Sequence, residues 1–229
     1  MRTVIASLSV GINARAQQTS EMDAVVFDLG GVLLDWNPRY LYRKLIDDEA
    51  EMERFLAEVC TMEWHAAHDL GVPVAESCAA LAAAHPECAE LINAWGERSE
   101  EMIAGPIPGS VEILEELLQT GVRCYALTNM ERETYPLRLR RFPFMGWFAG
   151  TVVSSHEGVA KPDPEIFRRL VDRFALDPAR TIMIDDSAPN IDTAASLGMT
   201  ALRFTSPIAL RAALDGLRLL SYPSDRERY

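Results

Sequence analysis

Short, unbroken apolar runs punctuate this chain, and most of them stop at a hydroxyl or a carboxylate. AVVF (24–27) stops at Asp28, CYAL (124–127) at Thr128, TVV (151–153) at Ser154, and IMI (182–184) at Asp185 and Asp186. Continuous β-branched runs of this length are the pattern of strands buried on both faces, as in parallel sheets. TALRF (200–204) predicts a fifth strand. Between these runs the period changes to that of a helix. Val111, Leu114, Leu117 and Leu118 share one helix face, and Gly121 can end that helix. Asp163-Pro164 supplies an N-cap and a first-turn proline for a stripe of Ile166, Phe167, Leu170, Val171 and Phe174. A shorter helix is predicted from Asn190 to Leu197, closed by Gly198.

Strand–helix alternation predicts an α/β fold with a doubly wound parallel sheet made of right-handed βαβ units. Ligands bind beyond the carboxyl ends of the strands in such sheets. Asp28, Thr128, Asp185 and Asp186 stand at those ends, so the pattern itself proposes a site. One segment breaks the alternation. From 37 to 105 there is no strand signal, only the helical material YLYRKLIDD, EMERFLAEVC, VAESCAALAAAH and CAELINAWGERSEEMI. It reads as an all-helical domain inserted into a core formed by 22–36 and 106–229, with GPIPG (105–109) as the hinge. Residues 1–21 read as an N-terminal extension outside the machinery. Ser7, Ser9, Gly11 and Asn13 dilute their apolar stretch, which argues against a secretory signal despite Ala14-Arg15-Ala16.

Composition narrows the partners. With 34 Asp+Glu against 22 Lys+Arg the formal charge is -12, which repels a nucleic-acid backbone and an anionic membrane surface. No apolar run reaches the ~20 residues of a membrane span. Cys60, Cys78, Cys88 and Cys124 show no metal-type pairing and read as small apolar side chains in a reducing, cytoplasmic compartment.

The strand-end residues carry definite chemistry. Asp28 can act as a nucleophile or a metal ligand. Gly30 and Gly31 let the backbone turn and approach a ligand closely. Asp185-Asp186 adds a second acidic group, and carboxylates that meet repel one another unless a hard cation such as Mg²⁺ neutralises them. Lys161 brings a positive charge before a helix start, and Thr128-Asn129 a hydroxyl and a backbone N–H. Three carboxylates, one lysine and one hydroxyl suit phosphoryl transfer with a bound Mg²⁺.

VVFDLGGVLLDW, ALTN, GVAKPDPEIF and IDDSAPNIDTAASLGM, in that order, resemble the four motifs of the haloacid dehalogenase-like hydrolase superfamily. Within it the chain is most similar to a phosphatase-like branch with a small helical cap. The resemblance spans about Met22 to Phe204. It implies a Rossmann-like core with a helical cap inserted after the first strand, where 37–105 lies. It also implies Asp28 as the nucleophile of an aspartyl-phosphate, and Thr128 with the Asn129 amide as holders of the phosphoryl oxygens. Lys161 would offset charge on nucleophile and phosphoryl group. The implied Mg²⁺ ligands are Asp28, the Gly30 carbonyl, Asp186 directly and Asp185 through water, with Asn190 ordering the loop. Many phosphatases of the family carry a second Asp, a leaving-group acid, where this chain has Gly30.

The expected activity is hydrolysis of a small phosphorylated metabolite by a monomer or homodimer. A 2-haloacid dehalogenase, which uses the same Asp without metal, is the first alternative. A binding protein that kept the fold but lost catalysis is the second. Elsewhere the plainer readings hold. His65, His68 and Trp64 read as cap packing or surface, His156 as outside the site, and Trp36 as core–cap packing or a pocket wall. The arginines of RLRR (138–141) read as a solvated helix face.

Overall fold

The computed structural model describes residues 22–220; the expectation for residues 1–21 lies outside them. In chain order the first elements are β1 (Ala24–Phe27) and β2 (Leu34–Trp36). Five helices follow: α1 (Arg39–Tyr42), α2 (Glu49–Glu58), α3 (Met62–Asp69), α4 (Val74–Ala84) and α5 (Ala89–Glu97). The chain then runs through β3 (Ile103–Pro106), α6 (Pro108–Thr120), β4 (Arg123–Thr128), α7 (Tyr135–Arg141), β5 (Gly150–Val153) and α8 (Ser154–Glu157). It closes with α9 (Pro164–Phe174), β6 (Thr181–Asp185), α10 (Ala188–Ser196), β7 (Thr200–Arg203) and α11 (Pro207–Gly216).

The main sheet is parallel, in the order β5-β4-β1-β6-β7. Alternate side chains of a strand leave opposite faces. Val25 and Phe27 of β1 accordingly enter one core with Ile113, Leu114, Leu117, Leu210 and Leu214 from α6 and α11. Ala24 and Val26 enter the other, with Ile166, Phe167, Leu170 and Ala194 from α9 and α10. Two ends expected from sequence are built as read. Gly121 closes α6 at φ +85°, and the Asp163 carboxylate accepts the Glu165 N–H at 2.8 Å to start α9.

The chain moves from β1 to β4 and β5 on one side and then crosses back to β6 and β7 on the other, so the strand order reverses at β1 and a crevice opens at its carboxyl end. The register brings the strand ends level. Phe27 pairs with both Ala126 and Ile184, so Asp28 follows β1 level with Asp185 at the end of β6, and Thr128 ends β4 one residue further on.

The stretch between β2 and β3 has a core of its own, in which Tyr42, Met52, Phe55, Cys60, Ile92 and Trp95 are buried. It departs from the expected all-helical reading of 37–105 at one end. β3 starts at Ile103 and pairs antiparallel with β2 (Leu34 opposite Pro106), making a two-stranded ribbon where the chain leaves and re-enters the core. β2 is three residues long, too short to leave a periodic signal. Helix α3 was also absent from the expected helical segments. Among the described residues, no helix is long and apolar enough to cross a membrane.

Candidate active site

Asp28 leaves the buried end of β1 into the Leu29–Gly31 turn. Its Oδ1 accepts the Leu29 N–H at 2.7 Å and lies 3.0 Å from Lys161 Nζ. The same ammonium donates to Asp185 Oδ2 at 2.6 Å, so one lysine bridges two carboxylates. Asp185 is completely buried and fully engaged. The Ser187 N–H (2.9 Å) and Asn190 Nδ2 (3.0 Å to each oxygen) donate to it besides Lys161. Lys161 is itself fixed at its backbone. Its N–H donates to Asn129 Oδ1 and its carbonyl accepts from Asn129 Nδ2, both at 2.9 Å. The Asn129 side chain thus ties the end of β4 to the lysine loop. Thr128 is buried, and among the described residues its hydroxyl makes only a long 3.4 Å contact with the Asn129 carbonyl.

Asp186 is exposed and leans over the glycine turn. A Cβ on Gly31, whose φ is +73°, would stand 2.5 Å from Asp186 Oδ2, so only glycine allows this approach. Gly30 differs: among the described residues a Cβ there meets nothing within 4 Å, and its backbone carries no left-handed strain.

Carboxylate oxygens of Asp28, Asp185 and Asp186 all lie within 4.8 Å of one another. Burial pushes the Asp28 carboxyl up to about 7; Lys161 opposes that rise and Asp185 adds to it. Burial, then Asp185, also raises Asp186. Burial disfavours the Lys161 charge, but Asp28 and Asp185 outweigh it and hold the lysine above its usual value. The ammonium therefore stays charged, and negative charge is left in excess.

A cavity of about 510 Å³ opens over these groups. Its floor is Asp28, Gly30, Thr128, Asn129, Lys161 and Asp186; its far wall comes from the helical insertion and α7. Trp36 lines it and stacks on His65, with ring centroids 5.4 Å apart and planes 18° from parallel. His65 lines it as well, while His68 is fully buried, edge-on to Trp64. His156 lies outside the wall and packs edge-on to Tyr135. Arg138 overturns the solvated-face reading of RLRR. It is 5% exposed, lines the cavity, and lies 3.5 Å from Glu131, because α7 turns that residue inward while Arg140 and Arg141 stay outside.

Two charged wall residues, Asp69 and Glu131, are absent from the sequence reading altogether. Glu131 is buried, accepts the Thr134 hydroxyl at 2.8 Å and meets His65 at 3.8 Å. Burial raises its carboxyl, yet Arg138 and His65 outweigh burial and keep it below the usual range. Asp69 left one local signal. An acid in the last turn before a helix-ending glycine faces the negative end of the helix dipole, an unfavourable place for a carboxylate with no task.

A sesquiterpene phosphatase of Aspergillus oryzae is 25% identical over 199 residues, covering 81% of this chain and 91% of that protein. A haloacid dehalogenase family enzyme from Bacteroides thetaiotaomicron, solved with magnesium and inorganic phosphate, superposes with a TM-score of 0.62 at 23% identity, over 81% of this chain and 95% of that one. L-2-haloacid dehalogenase from Xanthobacter autotrophicus, with chloropropionic acid covalently bound, superposes at 0.58 and 17% identity, over 85% and 83%. The family model for haloacid dehalogenase-like hydrolases matches residues 22–198, and with the sheet order, the inserted helices and the strand-end acids this chain belongs to that family of hydrolases.

Proposed function

We propose that this hydrolase is a Mg²⁺-dependent phosphatase that cleaves a small phosphorylated molecule through an aspartyl-phosphate on Asp28. One observation carries the reading: carboxylate oxygens of Asp28, Asp185 and Asp186 converge within 4.8 Å of one another, and the Lys161 ammonium bridges two of these acids, Asp28 and Asp185. Hard oxygen donors with excess negative charge fit a small divalent cation. Lys161, Ser187 and Asn190 already occupy the Asp185 oxygens. Asp28 and Asp186, with the Gly30 carbonyl, would therefore hold the ion, and Asp185 would stand behind them. When bound, Mg²⁺ supplies charge neutralisation between an anionic nucleophile and an anionic phosphoryl group.

The chain's own residues do the rest. Lys161 and the Leu29 N–H hold Asp28 Oδ1, which leaves Oδ2 to attack phosphorus. The Thr128 hydroxyl is free to turn towards a phosphoryl oxygen, and the Asn129 clamp keeps the lysine beside the nucleophile. A metal-free dehalogenase shares the fold, but an anionic haloacid would meet the exposed Asp186 carboxylate beside Asp28, with Lys161 already shared between Asp28 and Asp185. That arrangement favours the cation-assisted reaction.

Phosphate release from para-nitrophenyl phosphate and halide release from chloropropionate, each measured with Mg²⁺ and with EDTA, test the proposal. Phosphate release with Mg²⁺ is expected, falling on the order of 10²-fold or more with EDTA. Asp28→Asn should lower it on the order of 10³-fold or more, since an amide is a poor nucleophile. Halide release that ignores EDTA would overturn it.

A further inference from the structure

We propose that Asp69, the last residue of α3, is the proton donor and acceptor for the leaving group, a task the chain cannot give to the glycine at position 30. The proposal rests on the phosphatase reading. Gly30 sits on the cavity floor with open space where a side chain would point, so nothing at that position can protonate a departing oxygen. Any acid must come from another wall of the same cavity.

Among the described residues, four carboxyl groups line that cavity: Asp28, Asp69, Glu131 and Asp186. Asp28 is the nucleophile, and Asp186 belongs to the cation side of the floor. Glu131 is tied up as a base, receiving the Thr134 hydroxyl and facing Arg138. Among the histidines His65 reaches the cavity, but burial lowers its pKa and keeps it neutral. Asp69 is different on every count. Its Oδ1 is buried and, among the described residues, without a hydrogen-bond partner, as a group reserved for a ligand would be. It is the last residue of α3, at the negative end of the helix dipole, which favours the protonated acid. Burial, then Glu131, pushes its carboxyl up to about 7, with Arg138 and Lys161 opposing the rise and Asp28 adding to it. An acid with its pKa near the working pH is the effective proton shuttle.

The element that carries Asp69 is pinned to the core. Gly71, two residues on at φ +99°, packs so close to the Ser155 carbonyl that a Cβ would stand 3.0 Å from it. Arg132 Nη2 donates to the same carbonyl at 2.7 Å. The end of α3 is thus held over the catalytic face.

The step balances as follows. An Asp28 oxygen forms a bond to phosphorus while the bond from phosphorus to the leaving oxygen breaks. The electron pair of that bond goes to the leaving oxygen, which takes the Asp69 proton and departs as an alcohol. Asp69, now a carboxylate, accepts a proton from water as the water oxygen bonds to phosphorus. The bond to Asp28 breaks with its electron pair returned to the carboxylate, and phosphate leaves with Asp69 protonated again.

The test compares the parent enzyme, Asp69→Asn and Asp69→Asn/Gly30→Asp on dinitrophenyl, nitrophenyl and phenyl phosphates and on glycerol phosphate. A dinitrophenolate departs without a proton; an alkoxide does not. Asp69→Asn should keep dinitrophenyl phosphate turnover within about threefold and lose on the order of 10²-fold on glycerol phosphate. The added carboxyl of Gly30→Asp should restore part of that loss. If Asp69→Asn does not fold, Asp69→Ser is read in its place. A loss equal on all four esters, or no loss on any, overturns the role of Asp69 and leaves the phosphatase reading intact. A parent enzyme that turns over none of the four overturns both.

Discussion

At the scale of single residues, the two neighbouring glycines of the first motif have opposite reasons to be glycine. Gly31 needs its missing Cβ twice over, for a φ of +73° and for the close approach of Asp186. Gly30 needs it for neither, and its side is open to the cavity. Gly30→Ala should therefore fold like the parent, with a Tm within about 2 °C. Gly31→Ala should lose roughly 1–3 kcal/mol from the strained backbone, and should weaken Mg²⁺ binding by pushing Asp186 aside. Paired thermal melts check this; equal losses in the two variants would contradict it. The absence of an acid at position 30 is thus a matter of chemistry, because the backbone tolerates a side chain there.

At the scale of elements, α3 brings buried titratable groups to the seam between the insertion and the core. His68 is completely buried, with Nδ1 3.3 Å from His65 Nδ1. Burial, then His65, lowers its pKa to about 4. The unfolded chain takes up this proton below about pH 6.5 and the folded chain only near 4, so the native state loses stability as pH falls through that window. Asp28 and Asp69, raised to about 7, act with the opposite sign. The histidine effect is therefore read as a difference between proteins. Between pH 7.5 and pH 5 the parent Tm should fall about 5 °C further than that of His68→Gln. Parallel pH profiles would show that His68 does not titrate differently in the two states. The same helix marks the limit of what the sequence discloses. The strands ending at Asp28, Thr128 and Asp185 were legible because a buried strand that stops on a polar residue is a local signal. The wall formed by Asp69, Glu131 and Arg138 was not, since those residues meet only after α3 and α7 fold across the crevice. β2 and β3 were missed because three or four residues that pair with each other carry no period of their own.

At the scale of the molecule, a formal charge of -12 and a cluster of three acids act on stability through different ranges. Diffuse surface repulsion is screened by any salt, over about 10 Å at 0.1 M ionic strength. The cluster is short-ranged and partly buried, so salt reaches it poorly, while a ligand that binds the native state alone stabilises by mass action. At a hundred times its dissociation constant Mg²⁺ would add about 2.7 kcal/mol, which for a chain of this size is a Tm rise of roughly 5–10 °C. NaCl at matched ionic strength should give a smaller rise that is the same in every variant. Asp186→Ala should lose the Mg²⁺ increment and keep the NaCl one, because it removes the exposed carboxylate of the cluster and leaves the Lys161–Asp185 pair and the sheet intact. Asp185→Asn should behave differently and lower the Tm in both salts. It weakens a buried ion pair and leaves Lys161 with Asp28 as its remaining carboxylate partner. An Asp186→Ala protein that still gains the full Mg²⁺ increment would place the cation away from the strand ends, and the phosphoryl-transfer reading would lose the observation on which it stands.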